Sequence, residues 1–398
     1  MRYLTITVVY RAHALNRDEK IGQNVLSVKK LTYQDRIHTF ISKPALRHYL
    51  FQTLYLAHHE KAPEWEPAPL QATSDVIQFD LTQASILTHA ELDLFGYMQT
   101  AGRTLTRKAV VGITKAISLY PYAGDMAFYA NHDLVQRLAK IMESTPNPYQ
   151  KEEHTSLYKV HFVIDTHRLG RDEWILPKAE VIASDTNVAF KVEAKEKNKE
   201  QEQAEQEEDT AQKQGKKSKS KSTSSSVVFT IAGLKKTSQG PDHVYEHPNG
   251  KVIVKDMASG PYQVQFVLRA EGRRRRLLAL IEALRGGLYA QSSGEANTLV
   301  PVAFVAAFTK VPVPILEPYF FWPPIPANQE GTCPLPLHPD VLNNPWYLRK
   351  SEEGGLFVSG VYGPWNFICP GALQSESLSE EEFKQRIVSL YPDESSAA

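Results

Sequence analysis

Six consecutive residues, Ser42-Lys43-Pro44-Ala45-Leu46-Arg47, carry the clearest chemistry in this chain. A hydroxyl stands where a helix cap belongs, and a proline falls in the first turn. Two cations flank the amides that a helix start leaves unpaired. Amides and cations together suit an anion, most simply a phosphate. The same residues also suit an ordinary capped, solvated helix, and composition does not choose between the two. Asn16, Arg17, Lys20, Asn24, Lys29 and Lys30 lie in the polar stretch before it. A groove lined by these side chains would follow a sugar-phosphate backbone without reading base sequence. Arg103, Arg107 and Lys108 are further candidates for that groove. Arg273 to Arg276 is the densest basic run. It reads as a solvated helix start or as a site that needs an anion, because four cations there oppose the helix dipole.

Catalytic patterns are missing from the sequence. It holds no GxxxxGK[ST] phosphate loop, no HExxH zinc helix and no GxSxG elbow. His243 and His247 share a helix-like spacing but have no cysteine or carboxylate cluster beside them, and His58-His59 falls in a connector. Neither catalysis nor a metal or other cofactor is expected.

The elements that must position these residues alternate between strand and helix patterns. Residues 3–14 form a β-branched and aromatic run, and residues 36–41 a second, leading directly into Ser42. Further strands are expected at 110–119, 158–165, 188–192, 227–231, 262–269 and 300–307. Helices are expected at 131–142, 277–288 and 379–390. Residues 243–255 read as a hairpin turning at Asn249-Gly250. With Leu234, Val252 and Met257 it forms either a finger able to wedge between bases or a plain surface excursion. Residues 195–226 hold Lys, Glu, Gln and Ser with Ala204 and Ala211 as their apolar side chains, a composition that cannot offset its ordering entropy by burial. This is expected to be a disordered loop inserted between two strands of one folded unit. The whole pattern predicts an α+β protein with a mixed sheet of ferredoxin-like or RNA-recognition type and long excursions from its loops.

Lys+Arg and Asp+Glu both number 45 in the 398 residues, so any electropositive surface must come from placement. The two cysteines, Cys333 and Cys369, lie far apart without zinc spacing, which fits a reducing cytoplasm. The longest apolar run, residues 299–308, is about half of the roughly twenty residues a membrane span needs. No cleavable signal follows Met1, and the expected location is cytoplasmic, away from membranes.

Several segments together resemble a known family. These are LTITVVYRAHALN, IGQNVLSVKKLT, HTFISKPALRHYL, DLFGYM at 93–98, SLYKVHFVIDTHRLG, SGPYQVQFVLR and GGLYAQSSGEANTLVPVAFVAAF. In this order, over most of residues 3–310, they resemble the DevR-type CRISPR-associated autoregulator family, the backbone subunit of the type I-B Cascade surveillance complex. The resemblance implies a non-catalytic, guide-RNA-binding subunit whose copies polymerise along one CRISPR RNA. It also implies partners in the other Cascade subunits, and in target DNA reached through the guide. In such systems base pairing supplies sequence specificity. The implied fold is an RNA-recognition-type palm over 1–310, with helical fingers at 60–150 and a β-hairpin thumb at 230–260. A proline-rich C-terminal wrap ending in a short helix, 311–398, completes it. Carried over by position, Ser42, Lys43 and Arg47 match the helix start that touches the guide backbone. Asn16 and Asn24 flank the matching loop, and Asn297 with Gly286 and Gly287 falls in a later turn. Val252 and Met257 fall in the thumb. Pro44 stands where the family often carries Gln. The alternative reading is a guide-processing endoribonuclease on a similar sheet, with a histidine as general base.

Overall fold

The computed structural model describes residues 2–13, 17, 25–73, 76–100, 104–138, 141, 145–146, 148–177, 180–183, 187–193, 226–237, 242–256, 261–291, 298–321, 332–359, 366–369 and 371–393. The chain divides into two compact units. One comprises Met1–Trp65, Val110–Leu169 and Ala270–Ala398; the other comprises Glu66–Ala109 and Gly170–Arg269.

A mixed sheet organises the first unit. Its elements in chain order are β1 (Tyr3–Ala12), β2 (Arg36–Ile41), α1 (Lys43–His58), β3 (Ala116–Ser118), β4 (Ser156–Ile164), α2 (Ala270–Gly286), β5 (Thr298–Thr309) and α3 (Glu380–Ser389). In space the strands run β5-β1-β4-β3-β2, with Lys30–Tyr33 outside β2. β1 pairs antiparallel with β4, from Leu4↔Ile164 to Ala12↔Ser156, and antiparallel with β5 on its other side. β3 is antiparallel to β4 and therefore runs parallel to β1. Val111–Ile113 also pairs with β4, so the strand expected at 110–119 exists in two pieces separated by Thr114 and Lys115.

Both faces of this sheet are covered, which is why β1 is apolar nearly throughout. Leu4, Ile6, Val8 and Tyr10 have no exposed surface. The Tyr10 hydroxyl donates to the Leu284 carbonyl of α2 at 3.1 Å, which places the helices on that face. Leu46, Leu50 and Leu54 repeat every four residues along α1 and are fully buried. On the opposite face, Val9, Val302 and Val305 pack against Ile315, Leu316, Leu335, Leu337 and Val341 of the C-terminal segment. Leu356–Ser359 adds a strand beside β5. Residues beyond 310 thus contribute core and sheet to the first unit, where the sequence predicts a separate wrap.

α2 begins at Ala270, seven residues ahead of its expected start, and takes in the whole basic run. Arg276 has no exposed surface and meets the Glu64 carboxylate at 2.6 and 2.9 Å; Arg275 meets the other oxygen at 2.6 and 2.8 Å. Arg273 donates to the Leu169 carbonyl at 2.7 Å, and Arg274 pairs with Asp393. An internal acid, rather than solvent or a ligand, answers the cations at this helix start.

The second unit is mostly β. Residues 60–150, expected as helical fingers, show among the described residues the short α-helices Ala90–Phe95 and His132–Leu138 between short strands. Residues 110–150 belong to the first unit. A five-stranded sheet runs Arg171–Pro177, Pro261–Leu268, Gly250–Asp256, Asp242–His247, Lys235–Lys236. The expected hairpin forms its middle, but His247 pairs with Gly250, so Pro248 and Asn249 make the turn. Gly250 is required because a Cβ there would lie 2.2 Å from the Val267 carbonyl oxygen. Val252 has no exposed surface and packs with Phe190, Phe229 and Phe266, because this sheet buries one face in the unit's core. It is therefore no projecting wedge. Asn187–Glu193 and Ser226–Ala232 are antiparallel partners that face each other as far as Glu193↔Ser226. The charge-rich insert thus leaves and re-enters a single hairpin; its expected disorder lies outside the described residues.

Candidate nucleic-acid interface

The start of α1 has the local chemistry its sequence calls for. Ser42 is extended, with φ −71° and ψ 154°, and its hydroxyl accepts from the Ala45 amide at 3.4 Å. Its carbonyl accepts from Leu46 at 3.0 Å, which closes the first turn. Proline in that turn needs no amide partner, so the terminus loses nothing by it. Lys43 is exposed, and Arg47 is half-buried one turn along. No acidic residue stands in this turn.

Lys29 and Lys30 come to the same place through the sheet. The Phe40 amide donates to the Lys29 carbonyl at 3.0 Å, and Lys30 faces Thr39 across the hairpin. Both lysines therefore flank the last residues of β2, just before Ser42. Their surroundings differ. The Lys30 ammonium sits 2.5 Å from Glu152 and 4.8 Å from the centre of the Tyr122 ring. Glu152 also accepts from the Ser27 hydroxyl at 2.7 Å and the Val28 amide at 2.9 Å. Burial pushes the Glu152 carboxyl up, but the hydrogen bonds from Lys30, Ser27 and Val28 outweigh it and hold it below the usual range. Arg17 bridges to Val28 and pairs with Glu153 at 3.2 Å. Arg17 and Lys30 are thus ion-paired within the protein; Lys29, like Lys30, is half-exposed. The neutralising pair Glu152-Glu153 escaped the reading of the sequence, which weighed the cations alone; the acids lie more than a hundred residues downstream.

Arg107 does not line a groove. It is 6% exposed and donates to Asp93 at 2.5 Å, and Asp93 also accepts from the Gly170 amide at 2.9 and 3.0 Å. Asp172 lies 4.0 Å from the same guanidinium and accepts from the Tyr97 hydroxyl at 2.5 Å; Trp174 in turn donates to that hydroxyl at 2.7 Å. Burial raises the Asp172 carboxyl to about 6 against the pull of Arg107. This network explains the DLFGYM segment physically. Asp93 ties three pieces of chain together, and Gly96, at φ +68°, sits where a Cβ would lie 2.3 Å from the Arg107 carbonyl oxygen. Arg107 therefore belongs to the framework of the second unit.

Asn16, Lys20, Asn24, Arg103, Asn297 and Met257 lie outside the described residues. His247, half of the candidate histidine pair, accepts the Asn249 amide at 3.1 Å and serves the hairpin turn. Among the described residues no group of His, Cys, Asp and Glu is arranged to hold a metal. None of their helices is long and apolar enough to cross a membrane.

These features define a mixed α+β protein with a cation-flanked helix terminus beside its main sheet. Its sequence matches the family described as CRISPR-associated negative auto-regulator DevR/Csa2 over residues 4–322, and the chain belongs to that family. It is 26% identical over 152 residues to "CRISPR-associated protein Cas7/Cst2/DevR" of Myxococcus xanthus (strain DK1622). That match takes in 34% of this chain and 48% of the relative, so the chain spans about half the length of the curated relative it matches. Among solved structures, a chain of a "CRISPR RNA-guided surveillance complex" aligns with TM-score 0.41 at 10% identity, covering 97% of this chain and 98% of that one. A chain of a "CRISPR RNA-guided surveillance complex, pre-nicking" aligns with TM-score 0.36 at 10% identity, over 77% and 75% respectively.

Proposed function

We propose that this chain is a non-catalytic backbone subunit of a type I-B CRISPR surveillance complex in the cytoplasm, several copies of which line up along one guide RNA. Family membership across residues 4–322 is the observation that carries the reading. The capped start of α1, with Lys43 exposed and Arg47 and Lys29 half-exposed around it, supports it as the place where guide phosphates are held. The order of β1, α1, β3, β4, α2 and β5, folded as β5-β1-β4-β3, supports describing the first unit as an RNA-recognition-type palm. In this reading the protein breaks no bond. Cations and helix amides neutralise phosphates, the protein shapes the strand, and the guide's bases choose the target DNA. Other subunits of the complex bind the resulting filament.

The test is size-exclusion of the subunit with and without guide RNA, followed by nuclease footprinting. Co-elution with regularly repeated protection is the expected result. A purified subunit that cuts precursor RNA without metal would point to a processing endoribonuclease instead. Failure to retain RNA at low ionic strength would remove the RNA-binding role.

A further inference from the structure

The network around DLFGYM brings two buried carboxylates to one guanidinium. Arg107 donates to Asp93 at 2.5 Å but lies 4.0 Å from Asp172. The Asp93 side chain has no exposed surface, and that of Asp172 is 6% exposed. The ion pair made at Asp93 thus leaves Asp172 with a distant counter-charge in a place largely closed to water, where an ionised carboxyl is costly. The closer partners of Asp172 are neutral. They are the Tyr97 hydroxyl at 2.5 Å, itself held by Trp174 at 2.7 Å, and the Glu173 amide at 2.9 Å. Asp93 has the Gly170 amide at 2.9 and 3.0 Å in addition to Arg107.

This cluster lies where the chain leaves and re-enters the second unit. Arg107 stands three residues before Val110, the first residue of a first-unit segment, and Gly170 is the residue at which the chain returns. Asp172 sits in the strand Arg171–Pro177, opposite Phe266 of Pro261–Leu268. Asp93 and Asp172 therefore hold the outgoing and the returning chain to the helix Ala90–Phe95 and to Tyr97.

We infer that the cluster is a proton-operated latch: the Asp172 carboxyl takes up one proton in mildly acidic solution, and the second unit is held more tightly with that proton than without it. Burial first, and the charge of Asp93 with it, opposes the ionised form; Arg107, the Tyr97 hydroxyl and the Glu173 amide favour it. Burial prevails, and the carboxyl titrates at about 6 rather than 3.8. The open chain gives up this proton before the folded one does as pH rises. The contribution to stability is therefore complete below pH 3.8 and is lost as pH rises through 6. His247, in the same unit, acts in the opposite direction, since burial and the charge of Arg269 hold its imidazole below the usual range. Asp172 is isolated from it by comparing wild type with a variant changed at Asp172 alone.

Hydrogen exchange of the full chain, read by mass spectrometry from pH 5 to pH 7.5 and corrected for intrinsic rates, measures the opening of peptides from 90–107 and 170–177. Between pH 5 and pH 7 the opening constant of wild type should rise about tenfold relative to that of Asp172→Asn, which has no proton to lose. Peptides of β1 and β4 in the first unit should show no such difference. Tyr97→Phe removes a hydroxyl that favours the ionised carboxyl, so its midpoint should move above 6, a shift that lost packing alone would not produce. This variant decides the matter if Asp172→Asn does not fold. Parallel profiles for wild type and Asp172→Asn overturn the latch, and so does a midpoint that Tyr97→Phe leaves unmoved.

Discussion

Lys43 and Arg47 lie at a helix start whose first turn holds no acid. Arg17 and Lys30 are paired with Glu153 and Glu152, so replacing them would disturb the fold along with any RNA binding. Replacing Lys43 and Arg47 with Ala should weaken RNA retention, and Lys43→Ala alone, at an exposed position, should do so with circular dichroism and melting unchanged. The slope of log affinity against log salt should become shallower by about 0.7 for each phosphate that is no longer neutralised. Filter binding at several salt concentrations measures this, and an unchanged slope removes the pair from the interface. His161 provides a second test at this scale. Its imidazole binds a proton at about pH 3 in the folded chain and near 6.5 when unfolded, so the unfolded state takes up protons first as pH falls. Its contribution is therefore complete above about pH 6.5 and is lost toward pH 3, with a loss of roughly 2 kcal/mol by pH 5. Melting curves from pH 7 to 5 should show wild type losing stability more steeply than His161→Gln. Parallel curves would contradict the buried, neutral state.

Among the elements, the hairpin that carries the long insert allows a direct test. Glu193 and Ser226 face each other, so joining them through Asn-Gly in place of residues 194–225 requires no change in either strand. The shortened chain should melt at the temperature of the parent; a large fall would mean that the insert contributes to the fold. The start of α2 behaves oppositely. Glu64→Gln leaves Arg276 buried without its counter-charge, and should destabilise the first unit by about 3–5 kcal/mol in urea unfolding. These two elements also mark what could be read in the chain beforehand. β2, the Ser42 cap and the paired strands around the insert were legible because their signals are local: β-branched runs, a capping hydroxyl, a break in composition. The Arg273–276 run was misread because its partner, Glu64, lies more than two hundred residues upstream. Val252 was misread for a related reason. A period of two divides a strand into faces without saying which face meets the core, and the deciding residues, Phe190 and Phe229, come from another sheet.

Across the whole molecule, charge sums to zero at 45 of each sign, so the chain has no general attraction for nucleic acid. Binding must come from places where cations gather at the surface, and their number determines the salt dependence. Lys29, Lys43 and Arg47 are the described candidates around the helix start. At about −0.7 per single-strand phosphate neutralised, they give a slope of about −2 for each copy bound. A chain covered by general basic surface would show a much steeper fall. A chain that held RNA by stacking alone would show almost none. If copies also line up along one strand, retention should rise cooperatively with protein concentration on a long RNA and lose that cooperativity on one long enough for a single copy. Titrating both lengths at several salt concentrations separates the two effects, because the slope per copy reports the phosphates held and the dependence on RNA length reports the touching of neighbours. A slope near −2 per copy with cooperativity confined to the long RNA is the expected outcome. A slope near zero would move the site of binding away from α1, and equal behaviour on both lengths would remove the filament.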